Sequence, residues 1–173
     1  MSSKLDLKDF IRDIPDFPKE GIIFRDITTL LIDPNANKKA LEELVNLTSG
    51  IEVDKVVGIE SRGFFFGPQI ASKLNVGFVP IRKPGKLPYD TISQEYNLEY
   101  GSNKLEIHSD AIKKGDRVII HDDVLATGGT ALTACYLVEK LGGTVVQCNF
   151  LLEIPFLKGR DLLFDYNVRS VLK

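Results

Sequence analysis

Along the chain, β-branched apolar runs alternate with stretches whose apolar positions recur at helical spacing, and a glycine-containing or acidic loop joins one to the next. Apolar runs of this kind suit strands covered by helices, so the pattern predicts a parallel sheet with helices packed on it. Asp33-Pro34 opens a helical pattern with Ala40, Leu41, Leu44, Val45 and Thr48 on one face, and Ser49-Gly50 stops it. Lys55 to Ile59 reads as a strand. The loop Glu60-Ser61-Arg62-Gly63 follows, then a short helix to about Leu74 and a further strand from Val76 to Arg82. Lys114-Gly115-Asp116 turns into a strand from Arg117 to His121 that ends at Asp122 and Asp123. A helix from about Gly129 to Leu141, closed by Gly142-Gly143, and a buried strand from Thr144 to Leu152 come next. The tail from Glu153 holds short elements without clear boundary signals.

One region breaks the alternation. Lys83 to Tyr100 mixes two prolines and a glycine with Lys, Gln, Glu and Tyr and has no burial stripe, which predicts a long mobile loop. Tyr100-Gly101-Ser102-Asn103 then reads as a hairpin turn. No internal repeat or low-complexity segment is visible.

A chain of 173 residues suits one domain, spanning 1–173. The 22 Lys and Arg nearly balance the 24 Asp and Glu, so no global field points to nucleic acid or a membrane surface, and an anionic ligand must be held by local basic groups. Cys135 and Cys148 are too few for a disulfide scaffold and lack zinc-site spacing, and are expected to be buried thiols. The N-terminal stretch is too charged for a signal peptide and no apolar run approaches membrane length, which predicts a cytoplasmic protein.

Four segments carry candidate chemistry. In Val118 to Thr130, a strand delivers Asp122 and Asp123 to its C-terminal end and Thr127-Gly128-Gly129-Thr130 then starts a helix. Backbone N–H groups, two hydroxyls and the helix dipole of such a turn suit a phosphate, whereas the adjacent carboxylates suit a donor such as a ribose diol. The spacing fits neither a G-x-x-x-x-G-K-[ST] nor a G-x-G-x-x-G loop. In Gly58 to Gly63, Arg62 beside glycines is either a pyrophosphate clamp or an exposed arginine in a turn. Arg82, Lys83 and Lys86 either form a solvated charge run or stabilise a departing polyanion. Asp16 to Thr28 is an extended apolar segment around Phe24, which suits core packing or a ring contact. His108 and His121 are too isolated for a triad or metal cluster.

These segments occur in the order found in type I phosphoribosyltransferases, and residues from about Asp16 to Arg160 resemble the adenine-specific members. The RK-P-GKLP and LEYG stretches and the Phe24-Arg25-Asp26 segment carry that match, and argue against orotate or 6-oxopurine enzymes. A PRPP-sensing regulator is a further alternative, but it would be expected to carry a DNA-binding domain or basic face and to lack the loop. The resemblance implies an α/β type I phosphoribosyltransferase fold: a twisted, mostly parallel sheet flanked by helices, an N-terminal hood over about residues 1–35 and a flexible catalytic loop over about 83–100. It implies conversion of adenine and 5-phosphoribosyl-1-pyrophosphate (PRPP) to AMP and pyrophosphate by a homodimer, with Mg²⁺ carried on PRPP rather than by direct protein ligands. Glu99 would be the catalytic carboxylate. Phe24 would stack on adenine, backbone groups of Ile23 and Arg25 would read its edge, and Leu157 of Leu157-Lys158-Gly159-Arg160 would border it. Asp122 and Asp123 would hold the ribose and Ala126, Thr127, Gly128, Gly129 and Thr130 the 5-phosphate. Arg62, Lys83, Lys86 and Tyr100 would approach the pyrophosphate, with a non-proline cis peptide at Glu60-Ser61. Three residues depart from the commoner pattern: Glu20 and Thr29, where proline is frequent, and His121, where an apolar residue is usual.

Overall fold

The computed structural model describes residues 5–97 and 102–173. Strands β1 (Arg12–Pro15) and β2 (Ile23–Asp26) form an antiparallel hairpin near the N-terminus. Asp26 fastens it, accepting from Arg12 Nη2 at 2.6 Å and from the Thr28 backbone N–H at 2.9 Å. Helices α1 (Thr28–Ile32) and α2 (Pro34–Asn46) follow. Asp33 caps α2 by accepting from the N–H groups of Asn35 and Ala36, and Pro34 fits the first turn, where its missing N–H leaves no bond unmade.

The central sheet is built from β3 (Lys55–Ile59), β4 (Gly77–Ile81), β7 (Arg117–Leu125), β8 (Thr144–Glu153) and β9 (Val168–Leu172), all parallel, in the order β4-β3-β7-β8-β9. Between β4 and β7 the chain forms a separate antiparallel ribbon, β5 (Thr91–Asn97) with β6 (Ser102–His108). Helices α3 (Gly63–Leu74), α4 (Gly129–Lys140) and the short α5 (Gly159–Leu162) complete the fold. Alternate residues of β7 face opposite ways. Val118 and Ile120 pack with Leu137, Val138, Leu105 and Ile107 beneath α4 and the ribbon, while Ile119 packs with Leu44, Phe66 and Ile70 beneath α2 and α3.

From β3 the chain winds to β4 on one side, then crosses to β7 on the other. The crevice between the C-terminal ends of β3 and β7 is therefore the point where winding reverses, the usual ligand position in an open α/β sheet. Gly63 permits the approach of α3 to this crevice, since a Cβ there would stand 2.8 Å from the His121 carbonyl oxygen.

Three expectations need correction. Strand β7 does not end at His121 but runs through both acids to Leu125, because β8 offers ladder partners as far as Leu125↔Glu153. Residues 83–100 are not one continuous loop: Thr91–Asn97 is a strand, paired through Ile92↔Ile107 over the buried Leu105 and Ile107. Its polar composition hides it because it lies in a two-stranded ribbon with few buried positions. Ser102 and Asn103 accordingly belong to β6, opposite Asn97 and Tyr96, rather than to a turn.

Candidate active site

Residues 126–128 link β7 to α4. Gly128 has φ +88°, a left-handed conformation suited to glycine, and it aims the N-terminus of a twelve-residue helix at the crevice. Arg62, Asp122, Ala126, Thr127, Gly128 and Thr130 line a cavity of about 190 Å³ there. Of the acidic pair, Asp123 is only 1 % exposed and Asp122 is half-buried. The Asp123 N–H donates to Asp122 Oδ1 at 2.9 Å. Arg62 Nε lies 3.2 Å from Asp123 Oδ2, an ion pair without an aligned hydrogen bond, so that oxygen has no hydrogen-bond donor among the described residues. Burial pushes the Asp122 carboxyl well above its ordinary range, and the neighbouring Asp123 charge pushes the same way. Burial also raises Asp123, against the opposing pull of Arg62. A group offering hydroxyl donors would relieve this underpaired charge.

Arg62 also lies over Phe24, its guanidinium carbon 4.9 Å from the ring centroid, and Phe17 meets that ring edge-on at 5.2 Å. Beside them opens a cavity of about 580 Å³, mostly apolar, whose walls include Ile23, Phe24, Arg25, Val124, Phe156 and Leu157. Arg62, Ala126 and Thr127 line this cavity as well as the smaller one, so the two compartments share a wall. The Arg25 side chain pairs with Asp13. Pro15 stands opposite Ile23 in the hairpin and has no N–H, so it cannot donate to the Ile23 carbonyl.

Glu60-Ser61 is cis. Arg82 grips the Glu60 carboxylate through Nε and Nη2, both at 3.1 Å, and the Lys83 N–H adds a bond at 3.0 Å. Burial would raise the Glu60 carboxyl, but these donors hold it below the usual range. Arg82 is thus committed to the loop itself. Lys83 and Lys86 lie on the segment after β4 and line neither cavity described above. Glu99 and Tyr100 lie outside the described residues.

Beneath the acids, His121 is fully buried. Its Nδ1 is 3.0 Å from Asn149 Oδ1, and the Asn149 amide donates to the Leu44 carbonyl at 3.1 Å. Cys135 and Cys148 are both buried thiols, and burial together with the contact between them raises the Cys135 thiol far above the ordinary range.

Sequence reasoning overlooks Glu153 and Phe156, and gives no role of their own to Glu60, Val124, Gly159 and Arg160, although these fall in segments it singles out. Phe156 carried a usable signal as the aromatic residue beside Leu157. The others gain meaning only from partners distant in sequence.

A family model described as a phosphoribosyl transferase domain matches residues 26–171. Adenine phosphoribosyltransferase of Christiangramia forsetii is 59% identical over 170 residues, covering 98% of this chain and 99% of that one. The crystal structure of the adenine phosphoribosyltransferase of Thermoanaerobacter pseudethanolicus superposes with a TM-score of 0.95 at 51% identity, covering 96% of this chain and 97% of that one. That of Saccharomyces cerevisiae, complexed with an imino-altritol bisphosphate and adenine, does so with a TM-score of 0.89 at 43% identity, covering 95% of each chain. With the phosphate turn, the acidic pair and the apolar cavity at the reversal point of a parallel sheet, the chain belongs to the phosphoribosyltransferase family and, within it, to the adenine phosphoribosyltransferases.

Proposed function

We propose that the crevice transfers the phosphoribosyl group of PRPP to N9 of adenine, giving AMP and pyrophosphate. The observation that carries this reading is the shared wall: Arg62, Ala126 and Thr127 border both the apolar cavity and the smaller cavity at the phosphate turn. A base in the first and a 5-phosphate in the second would thus stand on either side of a ribose at Asp122 and Asp123.

In this reading the Thr127–Thr130 N–H groups and hydroxyls bind the 5-phosphate, helped by the α4 dipole. Asp122 and Asp123 accept from the ribose hydroxyls, Phe24 stacks on the base and Leu157 closes its far side. The Ile23 carbonyl accepts from the adenine N6 amino group, and the Arg25 N–H donates to N1. As the N9–C1 bond forms, the bond from C1 to the pyrophosphate oxygen breaks and its electron pair leaves with pyrophosphate. Arg62, Lys83, Lys86 and Tyr100 attend that charge, and Glu99 takes the imidazole proton.

Among the described residues no group of three or more His, Cys, Asp or Glu could cage a metal. A divalent cation that arrives on PRPP and keeps substrate oxygens as ligands nevertheless fits this site, where among the described residues Arg62 is the cation facing the two carboxylates. Mg²⁺ so bound would neutralise the leaving pyrophosphate. The working state in this reading is a homodimer in the cytoplasm.

The test is kcat/KM for adenine, hypoxanthine, guanine and xanthine at saturating PRPP and Mg²⁺. The 6-oxopurines reverse the donor and acceptor at positions 6 and 1, so they should lag adenine by about 10⁴. Comparable values for adenine and any 6-oxopurine would remove the adenine assignment.

A further inference from the structure

The loop that follows β8 carries Leu157 of the base cavity, yet it is held from behind by an ion pair, buried on its Glu153 side, that lines neither cavity. Glu153 ends β8, and its carboxylate is 7 % exposed. Arg160 clasps it side-on, Nε to Oε1 at 3.0 Å and Nη2 to Oε2 at 2.6 Å, and donates through Nη1 to the Val168 carbonyl at 2.8 Å. Ser170 Oγ adds a bond to Glu153 Oε2 at 2.8 Å. One guanidinium therefore bolts α5 to both β8 and β9. The residue before it in sequence, Gly159, packs against the phosphate turn so closely that a Cβ there would stand 2.2 Å from the Ala126 carbonyl oxygen and 3.0 Å from the Gly128 nitrogen. In return, a Cβ on Gly128 would stand 2.6 Å from the Gly159 carbonyl oxygen. The loop is also tied at its start, where the Ile154 N–H donates to the Leu125 carbonyl at 2.9 Å.

We infer that Glu153 and Arg160 form a positioning pair that sets the base wall and the phosphate turn at a fixed separation, through Leu157 on one side and Gly159 on the other. The inference rests on the reading above, in which those two features bind the two ends of one nucleotide. Rigid spacing matters because two subsites that must hold the two ends of one nucleotide bind both partners more weakly when their separation has to be ordered on binding rather than beforehand. The role needs the planar fork of arginine, which grips a carboxylate at two points and leaves a third donor for Val168; a lysine ammonium matches the charge but not the geometry.

The test is steady-state kinetics of Arg160→Lys and Arg160→Gln in the full-length protein, well below the melting temperature, beside circular dichroism and Tm. Both variants should raise KM for adenine and for PRPP together, by about 10-fold, with kcat changed much less. Lysine should fail to rescue. A purely structural pair would lower Tm in both variants and leave both KM values at the wild-type level, and that result overturns the inference. So does rescue by lysine, or a rise in one KM alone. If the Arg160 variants do not fold, Ser170→Ala removes one bond to Glu153 and leaves the pair in place; it should raise both KM values by about 2- to 5-fold, the equivalent of a partial hydrogen bond, and wild-type values overturn the inference. Wild-type protein serves as the control: if it makes no AMP from adenine and PRPP, the function reading itself fails, and the positioning role with it.

Discussion

The two ends of strand β7 treat charge in opposite ways, although elsewhere along the C-terminal edge acids are paired too, as Glu60 is with Arg82 and Glu153 with Arg160. At the N-terminal edge, Arg117 meets Asp54 through Nε and Nη2, both at 2.9 Å, and also meets Glu52, while Lys55 meets Asp116 at 2.8 Å. Asp54 and Asp116 have carboxyls lowered below their ordinary range, and hydrogen bonds from Arg117 and Lys55 respectively do the lowering. At the C-terminal end, Asp122 and Asp123 both lie in the field of Arg62 and still have their carboxyls raised. One edge is paired for stability. At the other, the acidic pair keeps its carboxyls raised, as a site that draws donors from a ligand would and a structural ion pair would not.

The sharpest break of this contrast is Asp123→Asn. Loss of a charge-assisted bond to a ribose hydroxyl should lower kcat/KM for PRPP by about 10- to 100-fold. The ligand-free protein should not lose stability, because a carboxyl raised above its unfolded value destabilises the fold once it ionises, and the amide never ionises. A kcat/KM for PRPP lowered by about 10-fold or more with an unchanged or higher Tm fits the contrast; a lower Tm with normal PRPP kinetics would mean that Asp123 is a structural acid like Asp54.

Much of this architecture is legible in the sequence, and the exceptions share a cause. Lys55–Ile59, the Asp33 cap and the Gly128 turn are found where local patterning puts them, because each depends on neighbours within a few residues. Strand β7 looks finished at His121 since two acids usually end a strand; only the partner β8 explains why it continues. Arg82 reads as one of three cations meant for a ligand, but Glu60, 22 residues earlier, claims it. Arg160 falls in the Leu157-Lys158-Gly159-Arg160 segment that the sequence singles out, but its pairing with Glu153 is visible only once β8, α5 and β9 are side by side. Contacts between loops at the sheet edge are set by topology, which periodicity does not encode.

His121 gives a second, intermediate test, since it lies on β7 one residue before the acidic pair. Burial pushes its imidazole down from 6.5 to about 4, and among the described residues its side-chain hydrogen-bond partner is the neutral Asn149. The sign follows from linkage. A base whose folded pKa lies below its unfolded value contributes stability that is complete above about 6.5 and is lost as pH falls through about 4. The full loss at the acid limit is roughly 3 kcal/mol. His121→Val removes the titrating group, so Tm measured from pH 7 to pH 4 should fall less steeply in the variant than in wild type. Parallel curves would show that acid sensitivity arises elsewhere.

The smallest expected effect belongs to the paired edge. Asp54 accepts from the Arg117 backbone N–H at 2.8 Å as well as from its guanidinium, and the Asp54 N–H donates to the Arg117 carbonyl at 2.8 Å. Both side chains are more than a third exposed, so water and salt screen the attraction, and the pair should contribute modestly despite good geometry. Asp54→Asn keeps an acceptor for the backbone N–H and removes only the charge, whereas Asp54→Ala removes both. Tm should therefore fall slightly for asparagine and further for alanine, with the asparagine deficit shrinking as salt is raised. Because the Asp54 carboxyl is lowered, its contribution is complete above its ordinary pKa and is lost only as pH falls below that, a window more acidic than that of His121. Neither variant should alter kcat/KM for adenine or PRPP. A kinetic defect in Asp54→Asn would mean that charge at the N-terminal edge is felt at the C-terminal edge through β7, and the division of labour between the two would fail.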